Sequence, residues 1–223
     1  MFDVDGVIID VRDSYHRAVQ ETLKHYTGAL LPLERIREFK FSRGINNDWD
    51  LTVALIRELG YEPPPYDELV EVFEAYYDEF KEHEKLLLPR ELFETLKEEG
   101  FTLGVVTGRP LRDLSYAFDR FKLWEFFDAV VCEDDVPAPE LRKPHPFPLH
   151  ACVEALGAEG GVYVGDQRAD AEMVLSYRKL YGKDVKFLHY AVVLPEELPA
   201  HFRAASPEEL LRIARLEAGP APG

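Results

Sequence analysis

The chain has 223 residues, which is enough to bury a full hydrophobic core, either as one large domain or as a core with a smaller insert. Its formal net charge of -16 at pH 7 argues against nucleic acid and anionic membranes as partners, because both repel an acidic surface. No apolar stretch approaches the roughly 20 residues that a membrane-spanning helix needs.

The first predicted element is a short apolar strand that ends at two aspartates, Asp3 and Asp5, followed by Gly6. Acids just past a strand end lie where an open α/β sheet builds its active site. One carboxylate can attack an electrophile while the other carries a proton. The alternative is a solvated turn, since Asp and Gly are common turn residues. Only two residues precede Asp3, so either the true start lies upstream or the strand is truncated.

A helical insert is predicted between residues 13 and 85. Apolar side chains recur there at helical spacing in three groups, near residues 15–26, 51–59 and 69–80, without a strand pattern. Glycines and a run of three prolines separate these groups. The segment is therefore expected to form a separate helical unit.

A second strand end is predicted where the apolar residues 101–106 lead into Thr107, Gly108 and Arg109. A hydroxyl followed by a glycine turn and a helix N-terminus can bind phosphate. The alternative is that Thr107 serves only as a helix cap.

Two further motifs complete the set. Residues 142–146 place Lys143 in an extended segment braced by prolines, and residues 161–165 form an apolar run that leads to Asp166 and Asp170. Taken alone, Lys143 is explained as a solvated lysine and Asp166 as a helix N-cap. The acids nevertheless follow a strand, as in the first motif.

The remaining pattern alternates strands and helices, which predicts a parallel, Rossmann-like sheet. Residues 218–223 are expected to form a frayed tail. The predicted helices cover residues 89–99, 111–122, 147–156, 169–181 and 207–217, and the predicted strands after the second cover residues 129–132, 162–164 and 185–188.

The four motifs together resemble the signature set of the haloacid dehalogenase superfamily, in particular its phosphoglycolate phosphatase-like members with a helical cap. The resemblance covers nearly the whole chain. It implies an α/β fold in which a Rossmann-like parallel sheet is flanked by helices, with the first strand between the second and the fourth and a helical cap domain inserted after the first strand. Residues 1–12 and 86–223 would form the catalytic core, and residues 13–85 would form a cap that closes over the pocket.

The resemblance also implies a role for each motif residue. By position, Asp3 matches the nucleophile, Asp5 the general acid and base, Thr107 the phosphate-binding hydroxyl and Lys143 the charge-balancing lysine. The residues at the metal, which would be Mg²⁺, are Asp3, Asp5, Asp166 and Asp170, with Asp5 contributing its carbonyl oxygen. Gly108 and Arg109 would contact the substrate.

Asp5 separates reaction types within the superfamily. Dehalogenases expel halide and carry no aspartate two residues after the nucleophile, so this chain resembles a phosphatase that acts on a small phosphorylated metabolite. Phosphomutases share the acid pair and remain an alternative. A catalytically silent metabolite-binding protein is the third hypothesis, although a binder has no use for the proton-transferring acid.

Residues 40–49 are the best candidates for substrate selection within the insert. Both asparagines of the chain, Asn46 and Asn47, lie there close to Arg43. Arg43 or Lys40 would meet a second anionic group, and the asparagines would bind hydroxyls or a ring nitrogen. The alternative is a turn in which Asn47 or Asp48 caps the next helix.

Composition also suggests a source and a compartment. Amides are scarce, as in proteins from hot environments, which favours a thermophilic source. Cys132 and Cys152 lack the spacing of a metal or redox motif, so reduced thiols are expected. Because the start also lacks a basic region with a long apolar segment, we expect a cytoplasmic protein, either a monomer or a homodimer.

Overall fold

The computed structural model describes residues 1–192 and 198–217, so the predicted tail at 218–223 lies outside the described residues. The chain divides into two compact units. The core unit contains Met1–Ile9 and Leu86–Gly223, and the insert unit contains Asp10–Lys85. The chain passes from one unit to the other at two short strands, β1 (Ile9–Asp10) and β2 (Lys85–Leu86).

A parallel sheet forms the centre of the core unit. Residues 1–3 lie between two strands, because Phe2 pairs in parallel with Val105 on one side and with Val164 on the other. The strands are β3 (Gly104–Val106), β4 (Ala129–Val131), β5 (Gly160–Gly165), β6 (Asp184–Tyr190) and β7 (Phe202–Ala204). The order across the sheet is β4, β3, residues 1–3, β5, β6 and β7.

Helices cover this sheet with their apolar faces. In α5, for example, Leu92, Phe93 and Leu96 are buried while the charged residues between them face solvent. Within residues 1–192 and 198–217, no helix is both long and apolar enough to cross a membrane. The core-unit helices are α5 (Arg90–Glu98), α6 (Leu111–Phe121), α7 (Phe147–Ala155), α8 (Arg168–Tyr181) and α9 (Pro207–Glu217).

This architecture confirms the predicted Rossmann-like parallel sheet. The first predicted strand, residues 1–3, lies between the second predicted strand, which is β3, and the fourth, which is β5. The sequence prediction missed β7, which pairs with β6 at the edge of the sheet. Its three residues include the exposed Arg203, so they give no apolar run of strand length.

Four helices build the insert unit. Tyr15 of α1 (Tyr15–Thr27) stacks on Tyr77 of α4 (Tyr66–Phe80), with 4.3 Å between ring centroids, and the centroid of the Phe73 ring lies 6.0 Å from that of Tyr15. One helix was not predicted: α2 (Leu33–Arg43) lies outside the three groups with helical spacing, and it includes residues 40–43 of the segment chosen for substrate selection. Residues 44–47 form the loop before α3 (Asp48–Glu58). The helices are α1 (Tyr15–Thr27), α2 (Leu33–Arg43), α3 (Asp48–Glu58) and α4 (Tyr66–Phe80).

Candidate active site

Three buried aspartates meet at the carboxyl edge of the core-unit sheet. Asp3 ends the central segment, Asp166 follows β5, and Asp170 lies in the first turn of α8. One carboxylate oxygen from each lies within 4.8 Å of those of the other two. The cluster arises because neighbouring parallel strands deliver their carboxyl ends to the same edge of a sheet.

Two glycines allow these acids to approach one another. Gly6 has a φ of +75°, and a Cβ at this position would lie 2.1 Å from Asp166 Oδ2. A Cβ on Gly165 would lie 2.6 Å from the Asp170 side chain. Any larger residue at either position would therefore displace a member of the cluster. This explains why the first and fourth motifs have glycine at these positions.

Lys143 bridges two of the three acids. Its Nζ lies 2.9 Å from Asp3 Oδ1 and 2.9 Å from Asp170 Oδ1, and it donates to the Tyr163 hydroxyl at 2.7 Å. The lysine is buried, so these contacts are formed away from bulk water. The structure thus excludes the solvated-lysine alternative for Lys143.

Burial and the repulsion between neighbouring carboxylates change the pKa values in this cluster. Burial raises the pKa of Asp3 to about 7, against the opposing effect of Lys143 and with a further increase from Asp170. Burial disfavours the ammonium form of Lys143, but Asp170 and Asp3 outweigh it and raise the pKa of that group. One buried ammonium lies among three carboxyl groups, so a further cation bound there would reduce the repulsion between them.

The donor set suits a hard divalent cation. Carboxylate oxygens are the ligands that Mg²⁺ and Ca²⁺ prefer, and three of them converge here. Such a cation would supply the charge that keeps Asp3 ionised despite its burial. Asp3, Asp166 and Asp170 are therefore the residues that could hold a metal ion.

Removing the Lys143 charge should destabilise the protein strongly. We expect Lys143→Met to lower the free energy of unfolding by about 3–5 kcal/mol, because two buried acids lose their cation. The matched control is Lys97→Met, since Lys97 forms a more exposed pair with Asp128 that should contribute at most about 1 kcal/mol. Urea denaturation without divalent cations measures both, and equal losses would contradict the structural role of Lys143.

Asp5, Thr107 and Arg109 form a second group in the core unit. Arg109 Nε donates to Asp5 Oδ1 at 2.6 Å, and the backbone N–H of Arg109 donates to Thr107 Oγ1 at 3.1 Å. Thr107 and Arg109 are buried, whereas the Asp5 side chain is 27% exposed. Gly108, between them, is half-buried.

The insert residues selected from the sequence lie around the loop between α2 and α3. The Asn47 side chain caps α3 by accepting from the N–H groups of Trp49 and Asp50. Arg43 is exposed and contacts Glu58 at 3.4 Å, while Asn46 is half-buried. These contacts support the helix-cap alternative for Asn47, and a substrate role for all three residues stays a prediction.

The two adjacent asparagines give a direct test of capping. We expect Asn47→Ala to lower the free energy of unfolding by about 1 kcal/mol, because two N–H groups of α3 lose their acceptor. Asn46→Ala is the control one residue away, with an expected change below about 0.5 kcal/mol. Chemical denaturation of both variants decides the matter, and equal effects would count against the cap.

Sequence reasoning missed Tyr163, which supports Lys143 and Asp170. Its hydroxyl lies 3.1 Å from Asp170 Oδ1 and 3.2 Å from the carbonyl oxygen of Val106. The residue is fully buried within β5 and was counted with the apolar run. A signal existed, because a tyrosine in the interior of a buried strand needs a hydrogen-bond partner for its hydroxyl.

Comparison with known proteins identifies the family. The sequence profile of the haloacid dehalogenase-like hydrolases matches residues 1–175. The chain belongs to this family. The pyrophosphatase PpaX of Bacillus mycoides (strain KBAB4) is 30% identical over 179 residues, which cover 76% of this chain and 75% of the relative.

Two further relatives span almost the whole chain. A phosphoglycolate phosphatase of Cereibacter sphaeroides (strain ATCC 17029 / ATH 2.4.9) is 28% identical over 220 residues, covering 96% of each chain. The solved structure of phosphatase Tt82 from Thermococcus thioreducens is 25% identical, has a TM-score of 0.67, and is matched over 97% of its length and 96% of this chain. This chain is therefore an enzyme, a haloacid dehalogenase-like phosphatase.

Proposed function

We propose that this enzyme is a Mg²⁺-dependent phosphatase that hydrolyses a small phosphorylated metabolite through an aspartyl-phosphate intermediate on Asp3. The observation that carries the proposal is the buried cluster in which the oxygens of Asp3, Asp166 and Asp170 converge beside Lys143. A phosphate monoester is dianionic and repels a carboxylate nucleophile, so positive charge must lie close to both. In this cluster the proposed nucleophile, Asp3, lies beside the Lys143 ammonium and beside carboxylates that could hold a cation.

The metal would be held by carboxylates of the cluster, with the Asp5 carbonyl oxygen as a further ligand. When bound, Mg²⁺ supplies charge neutralisation and holds the anionic groups in line. Lys143 supplies a fixed positive charge at Asp3. Thr107 accepts a hydrogen bond from the Arg109 N–H, so its own O–H hydrogen can be donated to a phosphoryl oxygen.

The reaction then proceeds in two displacements at phosphorus. In the first, an Asp3 oxygen forms a bond to phosphorus, the ester P–O bond breaks, and the Asp5 carboxyl gives its proton to the leaving alkoxide. In the second, Asp5 takes a proton from water while the water oxygen bonds to phosphorus. The bond between Asp3 and phosphorus breaks, which releases phosphate and restores both acids.

The insert unit is the proposed cap, with residues 13–85 as the cap domain and residues 1–12 and 86–223 as the core. We propose that Arg43, Asn46 and Asn47 contribute to substrate selection there, and that Gly108 helps to bind the phosphoryl group. The net charge of -16 favours small anionic metabolites over nucleic acids or membranes. We also propose that the enzyme is cytoplasmic, that it is a monomer or a homodimer, and that it comes from a thermophilic source, with Mg²⁺ as its metal.

A substrate panel tests the proposal. The purified protein is incubated with phosphoglycolate, inorganic pyrophosphate, several sugar phosphates and p-nitrophenyl phosphate, with Mg²⁺ and then with a chelator. We expect phosphate release that requires Mg²⁺ and is lost in Asp166→Asn. Isomer formation without phosphate release would indicate a phosphomutase instead, and a blank profile across the panel would favour the silent binder.

The same panel tests substrate selection by the insert unit. Arg43→Ala and Asn46→Ala should change the relative kcat/KM among substrates while activity toward p-nitrophenyl phosphate stays close to that of the wild type. An unchanged ranking in both variants would remove these residues from the substrate site.

A further inference from the structure

We propose that Arg109 is a positioning residue that holds the Asp5 carboxylate in the orientation required for proton transfer. The proposal rests on the proposed function, in which Asp5 carries the proton. It also gives Arg109 a role different from the direct substrate contact that the sequence suggested.

The exposure of the two partners differs in an informative way. The Arg109 side chain has no exposed surface, and it is among the largest fully buried side chains in the described part of the chain. The Asp5 side chain is 27% exposed, although its Oδ1 lies only 2.6 Å from Arg109 Nε. A substrate can therefore approach Asp5, whereas Arg109 supports Asp5 from the protein interior.

The backbone of Arg109 is held on both sides. Its N–H donates to Thr107 Oγ1 at 3.1 Å, and its carbonyl oxygen accepts from the Glu133 N–H at 2.9 Å. Pro110 follows directly and begins the approach to α6. Because the backbone of Arg109 is fixed by these hydrogen bonds, its side chain loses little conformational freedom when the guanidinium group contacts Asp5.

Asp5 needs such support because of its place in the chain. It lies in the turn between the central strand segment and β1, next to Gly6 with its φ of +75°. A general acid must lie within about 2.6–3.2 Å of the atom that receives its proton. A displacement of about 1 Å can reduce the rate by about 10²-fold. A charged hydrogen bond from a buried donor restricts the carboxylate to one orientation.

Kinetics with two esters distinguishes positioning from substrate binding. Arg109→Gln should lower kcat/KM by about 10–100-fold for an alkyl phosphate without raising KM, because the placement of the acid is lost. The loss should be smaller for p-nitrophenyl phosphate, whose leaving group needs no proton. Arg112→Gln is the matched control on the exposed face of α6 and should behave as the wild type.

A double variant tests whether Arg109 acts through Asp5. In an Asp5→Asn background, Arg109→Gln should cause no additional loss, because the carboxylate that it positions is already absent. Additive losses, a raised KM for both esters, or equal losses of kcat/KM for both esters would each overturn the proposal.

Crystal structures of the wild type and of Arg109→Gln provide a readout that does not depend on activity. We expect the Asp5 side chain to leave its wild-type orientation in the variant while the cluster around Lys143 is retained. An unmoved Asp5 would overturn the proposal. If the wild type hydrolysed no phosphate ester, the phosphatase mechanism would fail, and these structures would still decide whether Arg109 orients Asp5.

Discussion

Asp3→Asn should lose at least about 10⁴-fold in kcat for every phosphate ester that the wild type hydrolyses, because an amide oxygen is too weak a nucleophile to form the acyl-phosphate bond. The substitution keeps the size of the side chain and removes one of three buried acids that repel one another. We therefore expect the variant to fold cooperatively. Steady-state assays with Mg²⁺, together with circular dichroism, measure both properties.

An exposed aspartate of the same unit serves as the control for this experiment. Asp184 begins β6, at the end of that strand opposite to the carboxyl edge where the cluster lies, and its side chain is 63% exposed. Asp184→Asn should retain full activity. If Asp3→Asn were as active as this control, the assignment of the nucleophile would be wrong.

Asp5→Asn should lower kcat/KM by about 10²–10⁴-fold for an alkyl phosphate, because the leaving alkoxide no longer receives a proton. The same variant should lose much less kcat/KM with p-nitrophenyl phosphate, since nitrophenolate leaves without protonation. The quantity compared is kcat/KM, because kcat for both esters also contains the breakdown of the same intermediate, in which Asp5 acts as the base. Equal losses of kcat/KM for the two esters would show that Asp5 does not act as the general acid.

The predictable part of this structure follows from a simple property of parallel sheets. Apolar runs that end in Asp3, Thr107 and Asp166 could be recognised in the sequence, and such runs place their ends at one edge. The position of residues 1–3 between β3 and β5 followed from the family resemblance and was confirmed. Sequence alone contained the motifs but not the order of the strands.

Contacts between distant residues could not be predicted from the same pattern. The pair of Asp5 and Arg109 joins positions 104 residues apart, and periodicity carries no information about such a partner. Arg109 was therefore assigned to the substrate from its motif alone. Tyr163 was missed for a related reason, since its hydroxyl contributes to the site while its ring behaves as part of an apolar strand.

In the insert, the sequence allowed two interpretations of Asn47 that only the structure could distinguish. Asn47 was equally suited to bind a substrate or to cap a helix, because both roles use the same side-chain oxygen. The structure shows it capping α3. Helix α2 (Leu33–Arg43) was also missed, since Ile36 and Lys40 are its only buried residues and it presents no continuous apolar stripe at helical spacing.

Trapping a phosphorylated enzyme is the most direct test of the central claim that Asp3 takes up the phosphoryl group. Asp5→Asn enzyme, in which breakdown of the intermediate should be slow, is mixed with p-nitrophenyl phosphate and Mg²⁺, quenched in acid, digested and analysed by mass spectrometry. We expect one phosphoryl group on the peptide that contains Asp3, absent from Asp3→Asn enzyme treated in the same way. A phosphoryl group on another residue, or hydrolysis with no covalent adduct at any time point, would contradict the account.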